Sequence, residues 1–184
     1  TSDYFVGTMG GRYPAKLFQS GSFLKNGAKE SVNTPCNIGW IPLHTACQSG
    51  SIELVQLLLD NGADESVNVQ SNYGWTPLHF ACQKGKSDVV ELLLKHGATE
   101  SLNTPSNDGE TPLHLACQSG RIEMFQLLLK HGANIALEDS AGKSVNSMTR
   151  SAKVKVAIKA HKKKKKNIMN LIGKGEVEGI TVIL

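Results

Sequence analysis

Apolar positions in this chain fall into short helical phrases that recur at a fixed interval. In "TPLHFACQKG", Thr76 to Gly85, the residues Leu78, Ala81 and Cys82 stand at i, i+3 and i+4, one face of a short helix. "SDVVELLLKHG" follows, with Val89, Val90, Leu92, Leu93 and Leu94 apolar nearly all round, the pattern of a helix covered on both sides. The first phrase returns as "IPLHTACQSG" from Ile41 and as "TPLHLACQSG" from Thr111. Pro42, Pro77 and Pro112 are 35 residues apart, as are Gly27, Gly62, Gly97 and Gly132. A period of this size marks stacked supersecondary units, none of which buries its apolar face alone.

The punctuation between phrases agrees. Thr76 and Thr111 predict N-caps that accept a backbone N–H, with proline at the first helical position, where its missing donor is harmless. Gly85 predicts a left-handed stop. Gly97 ends the second helix, and "ATESLNTPSNDG" is a polar connection of turn formers. Each unit reads helix, tight turn, helix, long loop.

The phrases "G-[W/E]-[T/I]-P-L-H-x-A-C" and "V-x-L-L-L-x-x-G-A", repeated within a two-helix period, closely resemble the ankyrin repeat over roughly residues 27–161. The resemblance implies an all-α solenoid: paired antiparallel helices stacked in an L-shaped array, with connecting loops projecting as β-hairpin-like fingers. It also implies a non-enzymatic protein-binding module that uses the finger tips and the exposed side of the first helices. On this basis residues 1–38 form a degenerate N-terminal capping unit, and 39–73, 74–108 and 109–141 are repeats. Residues 142–161 form a degenerate C-terminal cap with Lys153, Lys155 and Lys159 on a polar outer face. Residues 162–184 are a basic tail and the start of a following segment.

Three departures from the family pattern stand out. Its period is about 33 residues, and the dipeptides Glu30–Ser31, Glu65–Ser66 and Glu100–Ser101 lengthen the connection here to 35. Between Thr111 and Ser144 the spacing returns to 33. Ile41 replaces a capping threonine, a change expected to cost about 0.5–2 kcal/mol locally.

Composition adds bounds. At 184 residues with 40% hydrophobic content, the chain is long enough to bury a sizeable core. No apolar run approaches the roughly 20 residues that span a bilayer. The N-terminal "TSDYFVGTMGG" has neither a basic nor an apolar region of the kind a secretory signal needs. It starts with threonine, as a fragment or a processed chain would.

Charge is unevenly placed. Residues 1–142 hold 9 Lys or Arg against 14 Asp or Glu, whereas residues 143–166 hold 10 basic residues and no acidic one. An acidic body with a basic end predicts two surfaces with different partners. Three of the 4 cysteines, Cys47, Cys82 and Cys117, are locked to the repeat inside apolar phrases, and only Cys36 lies elsewhere. Free buried cysteines of this kind predict a reduced, intracellular protein, cytoplasmic or nuclear, rather than a disulfide-stapled one.

His44, His79 and His114 each precede a cysteine by three residues, so H-x-x-C occurs in triplicate. As zinc ligands each layer supplies two donors where a structural site needs four. As a nucleophilic pair they lack a third group to orient the histidine. The preferred reading is structural, with histidine bonded to neighbouring loop backbone and cysteine packed inside. No catalytic residue, metal or cofactor is expected.

The candidate partner-binding residues are Ile38, Trp40, Tyr73, Trp75, Asp108 and Glu110 at the finger tips. Gln48, Gln83, Lys84 and Gln118 at the ends of the first helices complete the set. Core leucines hardly change between units, whereas the tip triplets Asn37, Ile38, Trp40, then Asn72, Tyr73, Trp75, then Asn107, Asp108, Glu110 do. Trp40 and Trp75 read either as partner anchors or as rings lying across their own fingers. The strip runs from aromatic to acidic. The run Lys162, Lys163, Lys164, Lys165 and Lys166 reads as an import signal, as a contact for nucleic acid or anionic membrane, or as a solvated tail favouring a helix C-terminus. The leading expectation is a monomeric module binding a protein. The alternative is a basic-tailed adaptor tethered to nucleic acid or anionic membrane.

Overall fold

Proline's fixed φ suits the first turn of a helix, and three of the units open that way. The structure is a computed structural model that describes residues 4–6, 12–14 and 32–173. It pairs α1 (Pro42–Ser49) with α2 (Ile52–Leu59), α3 (Pro77–Lys84) with α4 (Ser87–Lys95), and α5 (Pro112–Ser119) with α6 (Ile122–Lys130). A shorter pair, α7 (Val145–Met148) and α8 (Ala152–Gly173), completes the array. The turn inside each unit needs a left-handed residue, and Gly85 supplies it with φ of +67°.

The helices form two layers. First helices pack in the order α1, α3, α5, α7, and second helices in the order α2, α4, α6, α8. The core lies between the layers and between successive units. Leu43, Leu78 and Leu113 fill the first layer, and Val55, Leu58, Val90, Leu93, Phe125 and Leu128 the second. The expected all-α stack is therefore the observed one, built from side chains that no unit could bury alone.

A short antiparallel strand pair, β1 (Tyr4–Val6) and β2 (Arg12–Pro14), sets Phe5 opposite Tyr13. It was not anticipated from sequence. Most of the N-terminal capping unit expected over residues 1–38 lies outside the described residues, as do residues 174–184.

The Glu–Ser insertions do more than lengthen a loop. Ala63–Ser66 and Glu100–Asn103 each wind into a 3-10 turn that buries the inserted serine. The Ser66 hydroxyl donates to the Asn33 amide oxygen, and that of Ser101 to Asn68. Each asparagine in turn donates to a carbonyl one unit on: Asn33 to Gly62 at 2.9 Å and Asn68 to Gly97 at 3.0 Å. These clasps join neighbouring units across the connection. Where the insertion is missing, Asn103 reaches Gly132 at 3.2 Å and accepts the Asn134 N–H instead.

At the C-terminus one helix runs across the boundary expected at residue 161. Val154 and Ile158 are buried against the stack while Lys153, Lys155 and Lys159 are exposed, as a terminal cap requires. The helix does not end near His161, however. α8 continues through the lysine run to Gly173, so no break separates a cap from a tail. Lys162 to Lys166 stand about two to three turns from its end, too far for the C-terminal dipole to favour them.

Candidate interaction surface

Each unit's histidine sits at the third helical position, where its ring folds back over the helix start. In α3 the His79 Nδ1 accepts the Thr76 backbone N–H at 3.1 Å. That leaves the proton on Nε2, which donates to the Glu110 carbonyl of the next unit at 3.1 Å. The Thr76 hydroxyl, 2.8 Å from Nδ1, is then a donor to the ring, a different role from the helix-capping acceptor expected of it. His44 repeats the pattern, accepting from Ile41 at 3.1 Å and donating to the Trp75 carbonyl at 2.9 Å. Ile41 has no hydroxyl to give, but its side chain is buried, which offsets the missing bond.

Burial penalises the charged rings and lowers His44 and His79 from 6.5 to about 4, so both stay neutral. Burial lowers His114 too. Its Nε2 is buried with no hydrogen-bond partner among the described residues, at the point where the repeat shortens to 33. The cysteines are equally removed from chemistry. Burial raises the thiols of Cys47 and Cys82 far above their ordinary value, and that of Cys117 to about 12. No group of three or more His, Cys, Asp or Glu gathers to hold a metal among the described residues.

The fingers are tight turns stitched into one ridge. Ser71 donates to the Trp75 carbonyl at 2.8 Å to close the second finger, and Ser106 to that of Glu110 at 2.9 Å to close the third. Backbone bonds then run from finger to finger: Asn72 to Ile38, Asn107 to Tyr73 and Ser140 to Asp108, all near 3 Å. The asparagine common to the three tip triplets adds a side-chain ladder, Asn72 to the Asn37 carbonyl at 3.1 Å and Asn107 to that of Asn72 at 2.9 Å.

Along this ridge the candidate residues separate. Trp40 is only 6% exposed, with its ring 4.7 Å from Phe80, so it packs inward. Trp75 is half-buried, 4.8 Å from the same Phe80. Ile38 is half-buried against the core and Gln48 half-buried at the end of α1. Tyr73 is 50% exposed. Gln83, Lys84, Asp108 and Gln118 are exposed. Glu110 is half-buried and accepts from the Gln118 amide at 2.6 Å, which ties the third finger to α5. Asp108 and Glu110 line a shallow depression with Asp139, Ser140 and Ala141.

A family model for ankyrin repeats in three copies matches residues 65–139, and a single-repeat model matches residues 38–72. The chain belongs to the ankyrin repeat family. Ankyrin repeats are generally protein–protein interaction modules and non-enzymatic scaffolds. The search of curated proteins returned no match.

Two parts of this ankyrin surface escaped the sequence reading. Phe80, buried between the two tryptophans, occupies the position of Thr45 and Leu115 in the other units. That variation at an otherwise constant helix was a visible signal that the tryptophans have an internal partner. Asp139, which extends the acidic end of the strip, lies at the end of residues 109–141, where its N–H bonds the Lys143 carbonyl at 3.0 Å to close a fourth finger absent from the tip triplets.

Proposed function

We propose that this ankyrin stack binds, as a monomer, a protein segment laid across its finger ridge. Tyr73 is the apolar anchor, and Asp108, Glu110 and Asp139 form the acidic flank. The supporting observation is the exposure of Tyr73, 50% on a ridge whose other aromatics pack inward. An anchor of this kind contributes most when a partner desolvates it. The acidic flank favours a basic segment carrying one apolar side chain, steered by charge and seated by Tyr73. Exposed Gln83 and Lys84 supply polar contacts at the rim. Buried unpaired thiols fit a reducing compartment, and we place the protein inside the cell, in cytoplasm or nucleus.

Affinity capture with mass spectrometry identifies the partner, and titration calorimetry with it tests the surface. Tyr73→Ala combined with Asp108→Asn should weaken binding at least tenfold with the fold intact. Unchanged affinity in that variant would remove the ridge as the binding site.

A further inference from the structure

Helix α8 carries an apolar stripe whose surroundings change halfway. Val154 and Ile158 are buried where α8 packs on α6. At helical spacing the stripe continues through His161 and Lys165 to Ile168, Met169 and Ile172. Past His161 the stack no longer covers it: Ile168 is 38% exposed, Met169 55%, Leu171 44% and Ile172 41%. Lys162 to Lys166 stand between the covered and uncovered parts, all exposed. Five consecutive positions at about 100° each go all round a helix. No Asp or Glu occurs from Lys143 through Gly173.

We propose that the end of α8 docks on an anionic lipid surface. It enters obliquely, so that the apolar side of residues 168–172 passes below the headgroups and the lysine collar meets their phosphates. Five residues cover about 7 Å of helix axis, within the depth of about 5–10 Å to which interfacial helices sink. Asn167 and Asn170 fall on the opposite side of the helix, facing water. α8 is not long and apolar enough to cross a membrane, so the contact is interfacial.

Lys165 decides between surfaces. It lies on the stripe itself, so a protein groove closing over the stripe would bury its ammonium. At a bilayer its stem lies along the apolar side while its head reaches a phosphate. Nucleic acid would satisfy the lysines but leave four apolar side chains in water, with no aromatic in α8 to stack on bases.

The test is sedimentation of the full chain with phosphatidylcholine vesicles, with and without phosphatidylserine. Binding is expected only with the anionic lipid. Ile168→Ser with Ile172→Ser should reduce it at least tenfold, and Lys163→Glu with Lys164→Glu by as much. Neither pair should move the thermal unfolding of the stack, because all four side chains are exposed. Absence of binding to the anionic vesicles would overturn the proposal, as would binding that survives the serine pair. Two further results would also overturn it by naming another occupant: self-association abolished by the serine pair, or duplex DNA displacing the chain from vesicles with the serine pair equally bound to DNA.

Discussion

The Nε2 of His79 lies 3.1 Å from the carbonyl oxygen of Glu110, 31 residues along the chain and one unit further up the stack. The other nitrogen of the ring serves its own helix start. One side chain therefore fixes both the opening of α3 and the base of the next finger. His79→Ala should leave the Thr76 N–H unpaired in a buried place, while the Glu110 carbonyl loses one of its two donors and keeps the Ser106 N–H. At about 1–3 kcal/mol for the unsatisfied group and about 1 kcal/mol for the lost bond, a loss near 3 kcal/mol is expected in urea unfolding. A loss below about 1 kcal/mol would show that water replaces the ring.

The same rings make stability depend on pH. His44 and His79 titrate near 6.5 when unfolded and near 4 when folded. Between those values the unfolded chain binds more protons, so stability rises with pH. Their contribution is complete above about 6.5 and is lost as pH falls through 4, about 3 kcal/mol for each ring. Urea midpoints of the wild type and His79→Gln, measured across this window, separate the ring from the carboxylates common to both. The gap between the two proteins should shrink as pH falls below about 6.

Much of this architecture was legible because each element carried several agreeing signals. Pro77, Leu78, Ala81, Cys82 and Gly85 state start, face and stop of α3 within nine residues, and repetition removed ambiguity. What was not legible depended on partners in other units. The insertion Glu100–Ser101 looks like loop lengthening until Ser101 is seen bonded to Asn68, 33 residues earlier. Trp40 at a finger tip reads equally as a partner anchor or as an inward ring until Phe80 is placed against it. Tyr73 alone of the tip aromatics combines a turn position with no internal ring partner among the described residues. Its side chain differs from its neighbours in surroundings, not in local sequence.

Two glycines with left-handed backbone allow a sharper stability test. Gly74 has a φ of +75°, and a Cβ there would lie 2.7 Å from the Asn107 backbone nitrogen. Gly97 has a φ of +95° with nothing within 4 Å of a Cβ. Gly97→Ala should cost only the left-handed conformation, about 1–2 kcal/mol. Gly74→Ala adds a backbone clash that must push adjacent fingers apart, so its cost should exceed that of Gly97→Ala by at least about 1 kcal/mol. Equal thermal shifts would mean that the ridge yields freely.

Thiol chemistry reports the core directly. Cys47, Cys82 and Cys117 are buried with raised pKa values, whereas Cys36 is partly exposed. The thiolate is the reactive form, so alkylation of the native protein at neutral pH should modify Cys36 alone. In denaturant all 4 cysteines should react. Mass spectrometry counts the adducts, and rapid native modification of Cys82 would contradict a closed stack. Adding a chelator should change neither the count nor the melting temperature, because two donors per layer do not close a metal site.

Trp75 and Tyr73 should part company when each is truncated. The indole of Trp75 is half-buried and lies 4.8 Å from Phe80, so Trp75→Ala opens a gap beside a buried aromatic. A loss of about 2–4 kcal/mol in thermal or urea unfolding is expected, somewhat under the cost at a fully buried ring. Tyr73 is 50% exposed with no such neighbour among the described residues, and Tyr73→Ala should shift stability by less than about 0.5 kcal/mol. Partner affinity should respond in the opposite order. Truncating an exposed anchor at the centre of a contact typically costs about 2 kcal/mol or more, which is more than tenfold in dissociation constant. Trp75→Ala should weaken binding only as far as it loosens the finger. The decisive comparison is affinity at a temperature where both variants are fully folded. If Trp75→Ala then weakens binding more than Tyr73→Ala does, the partner reads the half-buried indole and the ridge crest is not its anchor.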